Sequence, residues 1–252
     1  MTDSLLERLE GGVLTLTLNR PDKRNALDAP TLDRLQAALD RADLDAEVRV
    51  VAVRGAGKDF CAGADLEELL ASADHTPEEN ERAAMRLGGV FLRMRELPKP
   101  VVAVIHGRAL AGGAGLATAC DLILATESSQ FGYPEIQRGF VPAMVMTLLR
   151  RLTGEKVAFD LAATGRVLTA TEAAAAGLVS RVFPDAMFEA EAGKVLAGLS
   201  TASPSALALT KRQFYQLDGL SLEEGVRLGA QVNAVARATP DFRRAIAAFL
   251  KS

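Results

Sequence analysis

Two stretches of this chain place small residues where a strand gives way to a helix, and a third holds an isolated carboxylate. The first stretch, Gly55 to Asp65, reads GAGKDFCAGAD and follows an apolar run over residues 48–54. The second, Gly107 to Gly115, reads GRALAGGAG and follows the β-branched run Val101–Ile105. A chain that leaves a buried strand, turns through small residues and enters a helix points free backbone N–H groups into one place, with no side chain in the way. The first turn of a helix carries unpaired donors and roughly half a positive charge. Such a place suits an anion, or an oxygen that becomes anionic during a reaction. Two junctions of this kind can give one N–H each to a shared oxygen. Glu135, in Gly-Tyr-Pro-Glu, is the lone carboxylate that follows. Apolar Phe131, Tyr133 and Ile136 around it are expected to raise its pKa, as a proton shuttle requires.

Other chemistries fit less well. Gly113 and Gly115 have the G-x-G spacing of a dinucleotide site and Glu127 could be its acid, but Thr118 stands where the third glycine belongs. Tight strand–helix packing explains Gly115 without explaining the first loop. His75 and His106 are the only histidines. Neither has a second histidine or a cysteine at ligand spacing, so no metal is assigned. Ser128 and Ser129 lack a nucleophile elbow.

Taken together, NRPDKRNAL at Asn19–Leu27, FCAGADL at Phe60–Leu66, HGRALAGGAGL at His106–Leu116, ACD at Ala119–Asp121 and FGYPEI at Phe131–Ile136 resemble the crotonase, or enoyl-CoA hydratase/isomerase, superfamily. Leu161–Arg166 and Ala173–Val179 continue the match, which covers nearly the whole chain in the family's order. The nearest likeness is to bacterial enoyl-CoA hydratases. The resemblance implies an acyl-CoA thioester substrate, its carbonyl oxygen between the N–H groups of Ala64 and Gly112, with Glu135 as the catalytic acid/base. It implies no cofactor, because coenzyme A enters as part of the substrate. Asn25-Ala26-Leu27, Ala62 and Asp65-Leu66 match segments that line the adenine and pantetheine of coenzyme A, so Arg24, Ala26, Ala62, Asp65 and Leu66 are expected to bind it, and the charges of Lys23 and Arg24 suit its phosphates. Gly115 departs from the pattern, since many hydratases of the family carry a glutamate there. Asp121 is a poor substitute, lying past the last helical turn. Hydration with Glu135 as sole acid/base is therefore expected first, a Δ3–Δ2 isomerase second, and a non-catalytic acyl-CoA-binding subunit last.

The rest of the chain bounds these readings. Its 252 residues carry a formal charge of −3 with no basic run, which argues against a nucleic-acid surface. Two apolar-flanked cysteines suggest no disulfide framework. No apolar stretch reaches the ~20 residues of a membrane helix, and residues 1–10 lack an apolar signal core, so a cytoplasmic protein is expected. Strands are expected at 13–19, 48–53, 101–105, 122–125 and 178–183. Helices are expected from Asp28, from the box Thr76–Glu79 to about Glu96, and repeatedly after Pro142. No strand signal follows Pro184. The expected architecture is α/β: a crotonase-like spiral of ββα units over residues 1–190, then a C-terminal helical region, 191–252, that the resemblance assigns to trimers or dimers of trimers.

Overall fold

The computed structural model describes residues 3–251. Its larger sheet has six strands in the order β1 (Leu5–Glu10), β2 (Val13–Leu18), β3 (Val50–Gly55), β4 (Val101–Ile105), β6 (Leu122–Thr126) and β9 (Arg181–Phe183). All neighbours run parallel except β1 and β2. β4 lies between β3 and β6 and is buried at every residue, which is why it reads as unbroken Val, Ala and Ile. The period-2 alternation of side chains divides β3 between two cores. Val51 and Val53 join the core that holds Leu35 and Leu39 of helix α1 (Ala29–Leu44) and Phe91 and Met94 of α3 (Pro77–Glu96). Val50 and Ala52 join the core that holds Phe188 and Ala192 of α8 (Phe188–Thr201). β1, absent from the sequence expectations, is an antiparallel edge strand with only Leu5 buried. Its charges at Glu7, Arg8 and Glu10 hide the alternation and suit an edge.

A second sheet has three short strands in the order β5 (Arg108–Leu110), β7 (Gln130–Gly132) and β8 (Val167–Thr169). Single bridges extend the same pattern, Cys61 to Ala109 and Leu27 to Ala64. Four parallel strands of the large sheet, β2, β3, β4 and β6, thus each lead into a short extended segment and then a helix. β2 leads to Leu27 and α1, and β3 to residues 61–64 and α2 (Leu66–Ala71). β4 leads to β5 and α4 (Gly112–Ala119), and β6 to β7 and then α5 (Ala143–Thr153). This is the expected spiral of ββα units. The repeat lies in the path of the backbone, which leaves little trace in residue identity.

The helix signals are realised as hydrogen bonds. Asp28 accepts from the N–H of Thr31, and Thr76 and Glu79 form a reciprocal capping box. Beyond α6 (Glu155–Thr164) and α7 (Ala170–Ala175), the chain after β9 is helical, with α9 (Pro204–Gln216), α10 (Leu222–Ala238) and α11 (Pro240–Phe249) following α8. α9 is fastened by the buried Lys211. Its ammonium donates to the carbonyls of Met94 (2.6 Å) and Lys99 (2.9 Å) and pairs with Asp121 (2.7 Å). Asp121 also accepts from the Val101 N–H and the Tyr215 hydroxyl. It is thus consumed in structure, as its place beyond the helix suggested.

Candidate active site

The two small-residue loops meet. Cys61 joins them: its N–H donates to the Arg108 carbonyl (3.1 Å) and its own carbonyl accepts from Leu110 (2.9 Å). This short parallel bridge carries Ala64 and Gly112 to the same edge. A Cβ on Gly112 would lie 3.6 Å from the Ala64 nitrogen, and one on Gly63 only 3.1 Å from the Gly112 nitrogen. That bounds the two nitrogens within about 6 Å, a span that one oxygen can bridge at ordinary hydrogen-bond lengths. Neither N–H has an acceptor among the described residues. Ala111, the residue before Gly112, sits at φ 50°, ψ −129°. An L-residue held there costs about 1–3 kcal/mol and persists only where its surroundings impose it. Here its N–H donates to Gly132 and its carbonyl accepts from Gly115. The chain turns at Ala111, and α4 begins at Gly112.

The glycines are needed as contacts. A Cβ on Gly113 would lie 2.4 Å from the Cys61 carbonyl oxygen, and no flexible side chain stands there to yield. Gly113→Ala is expected to push the loops apart and remove one of the two donors, costing roughly 10²–10³-fold in kcat on an acyl-CoA substrate. Steady-state kinetics on the purified variant measures this.

Glu135 reaches the same edge through the second sheet. β7 lies parallel to β5, so the 3₁₀ turn Pro134–Arg138 leaves β7 beside the start of α4. Glu135 is buried (9% exposed) and its Oε2 has no partner among the described residues. Burial raises its pKa above the ordinary glutamate value, against the opposing pull of its own backbone N–H and of Arg138. Phe131 and Tyr133 are themselves buried, whereas Ile136 is 43% exposed. A carboxyl whose pKa is raised by burial is a stronger base than a solvated one.

A model of the family described as enoyl-CoA hydratase/isomerase matches residues 8–252. The chain belongs to the enoyl-CoA hydratase/isomerase family. A Thermus thermophilus protein named as an enoyl-CoA hydratase is 43% identical over 242 residues, 96% of each chain. The 2,3-dehydroadipyl-CoA hydratase of Escherichia coli is 35% identical over 240 residues, 95% of this chain and 92% of that one. The crystal structure of an enoyl-CoA hydratase from Mycobacterium smegmatis superposes with a TM-score of 0.95 at 33% identity, covering 99% of this chain and 97% of that one.

The residues expected to contact coenzyme A lie close together. Arg24, Ala26, Ala62, Ala64 and Asp65 sit on two segments that hydrogen-bond to each other, and Leu66 opens α2 just beyond. The Ala62 N–H donates to Arg24, Leu27 donates to Gly63, and Asp65 donates back to Leu27. Arg24 and Leu66 are exposed, Leu66 at 60%. The Asp65 carboxylate is already engaged, capping α2 through Glu67 and pairing with Arg20 at 2.9 Å. Its backbone is engaged as well, its N–H with Leu27 and its carbonyl with Leu69. Asn25, at the head of a segment that the resemblance matched to coenzyme A, has a structural role that the sequence did not show: it holds these segments in place. It is buried at φ 56°, accepts from Arg20, and donates to the carbonyls of Ala56 and Asp59. His106 binds the Gly57 carbonyl at 2.8 Å, a structural role.

Gly115 resolves differently from its neighbours. A Cβ there would lie 2.5 Å from Val145 Cγ2 and 2.9 Å from Phe91 Cζ. The volume that a longer side chain at 115 would occupy is filled with hydrocarbon. Cys61 is buried and unpaired, its thiol raised to about 12 by burial. It acts as a strut between loops and has no nucleophilic character.

Proposed function

We propose that the chain is an enoyl-CoA hydratase that works with one carboxylate. The N–H groups of Ala64 and Gly112 hold the thioester oxygen of a trans-2-enoyl-CoA. Glu135, as carboxylate, takes a proton from water while the water oxygen bonds to C3. The C2–C3 π electrons move toward the carbonyl, and the charge arriving on its oxygen is met by the two fixed amides. Protonated Glu135 then returns a proton to C2 as the enolate collapses, giving 3-hydroxyacyl-CoA. Coenzyme A enters with the substrate, and no cofactor is assigned. The observation that carries this reading is the pair of acceptor-free amides together with a buried carboxyl, its Oε2 unpartnered, at the end of β7, which adjoins the strand leading to Gly112. The names of the relatives support the hydratase direction.

The hydrocarbon around Gly115 favours one second reading. With no further carboxylate there to hold the water, Glu135 could shuttle a proton between C4 and C2 and so shift a double bond. A panel of straight, branched and carboxylated enoyl-CoAs, with product analysis, separates the two. Hydration predicts a 3-hydroxyacyl-CoA from a 2-enoyl-CoA; isomerisation predicts a 2-enoyl product from a 3-enoyl-CoA with no hydroxyl gained. Carboxylated substrates belong in the panel because the similar Escherichia coli protein is named for one. In addition, exposed Arg138 acts on Glu135 electrostatically and has no ion-pair partner among the described residues.

The division into residues 1–190 as core and 191–252 as an assembly region belongs to this reading. So does a homotrimer or a dimer of trimers in the cytoplasm, with no nucleic-acid or membrane partner. The support is an apolar helical surface, including Phe214 (66% exposed), Leu222 (86%) and Val226 (65%). Among the described residues no helix is long and apolar enough to cross a membrane. A monomeric mass by light scattering would remove the assembly part.

A further inference from the structure

We propose that the Tyr133 hydroxyl is a positioning group: through Thr118 it sets where Glu135 stands relative to the amides of Ala64 and Gly112. The inference rests on the reading of Glu135 as proton carrier. Tyr133 is 1% exposed and Thr118 2% exposed. Their oxygens are 2.8 Å apart, and the Thr118 hydroxyl lies 2.6 Å from the Ala114 carbonyl. Threonine has one hydroxyl hydrogen, and the Ala114 carbonyl can only accept. Thr118 therefore donates to Ala114, and Tyr133 donates to Thr118. The chain of bonds runs from the residue two before Glu135 to the first turn of α4, two residues after Gly112.

The location gives the bridge its purpose. Glu135 Oε2 has no protein partner, and the carboxyl's backbone bond is to its own N–H, so no hydrogen bond ties it to another element. Its place depends on the turn that carries it. That turn is tied elsewhere by the Phe140 N–H to the Glu135 carbonyl and by Gln137 to the Gly165 carbonyl. Among the described residues, no other side-chain hydrogen bond joins this turn to α4. Two hydroxyls buried in hydrocarbon are costly unless matched to each other. Here the matched pair spans the two elements whose separation the chemistry must fix. Burial also raises the tyrosine's pKa, with Thr118 opposing and Glu135 adding to the rise, so the phenol stays protonated as a donor.

The donor order makes the test discriminating. Tyr133→Phe removes a donor and leaves no orphan, since Thr118 keeps its bond to Ala114. Its melting temperature should stay close to wild type while kcat falls about 10–100-fold and KM changes little, the pattern of a misplaced reacting group. Thr118→Ser keeps the hydroxyl and should keep kcat. Thr118→Val strands the phenol donor, so it should lose both stability and kcat; Tyr133→Phe with Thr118→Val should regain stability but not kcat. Wild-type kcat in Tyr133→Phe, or kcat that tracks melting temperature across the four variants, would overturn the proposal. Glu135→Gln in the same assay separates the two claims. If it is inactive while Tyr133→Phe is normal, only the positioning claim falls. If it turns over normally, the proton-carrier reading falls and takes the positioning claim with it.

Discussion

Glu135→Gln is expected to lose about 10²–10⁴-fold in kcat on an enoyl-CoA, with binding of the thioester nearly unchanged. Glutamine keeps the shape of the side chain and its backbone bonds but cannot take a proton from water or return one to C2. In the wild type, the base form of Glu135 is needed for attack. Its pKa is raised by burial, so kcat should fall with acid from a pH above the ordinary glutamate range of ~4.3. The variant should lack this acid limb. Stability should move the opposite way. A carboxyl whose folded pKa exceeds its unfolded value costs nothing below the unfolded pKa. The cost appears as pH rises through the unfolded pKa and is complete above the folded one. Glu135→Gln should therefore melt at or above wild type at pH 7 and lose that advantage near pH 4. Paired kinetic and melting measurements across pH 4–8 check both halves together.

Lys211→Met should cost about 3–5 kcal/mol of stability with the active-site groups untouched. The lysine is 8% exposed, and its ammonium satisfies two carbonyls and one carboxylate. Methionine fills similar volume but leaves the partly buried Asp121 without its cation and two carbonyls short of a donor. A buried charge stripped of its partner is the costly case, more so than replacing both partners together. The double variant Lys211→Met with Asp121→Asn should accordingly recover part of the loss. Denaturant midpoints at one fixed protomer concentration measure this, since association would contribute to apparent stability. Because Lys211 fastens α9 to the residues before and after β4, proteolysis of the variant is expected to begin in the helices after α8.

The parts of the fold with strong local physics were legible in the sequence. β4 stands out because a strand buried on both faces has no polar alternation. α3 stands out because Thr76 and Glu79 cap it reciprocally. β1 was hidden by edge charges, and β5, β7 and β8 by having three residues each, too few to show a period. α4 was legible only as a helix following a glycine turn, because its run of Gly112, Gly113, Ala114 and Gly115 has weak helix propensity. Packing overrides that propensity: Gly113 rests on Cys61, and Gly115 on Val145 and Phe91. In the site, Ala64, Gly112 and Glu135 could be picked out, since backbone donors and lone carboxylates follow from residue type. The structural roles of Cys61, Asn25, Tyr133 and Thr118 could not. Each depends on at least one partner between 15 and 49 positions away, which nothing local marks; Thr118 drew notice only as a glycine that was missing. Gly115 was readable as an absence, while what fills its place required Phe91 and Val145 to be brought from other helices.

The central claim is that two backbone amides from separate loops share one thioester oxygen. A crystal structure of Glu135→Gln with a bound enoyl-CoA tests it most directly, because the variant should bind without turning over. The account predicts the carbonyl oxygen within about 3.2 Å of the nitrogens of both Ala64 and Gly112. A carbonyl held by only one of them, or turned away from both, would contradict it.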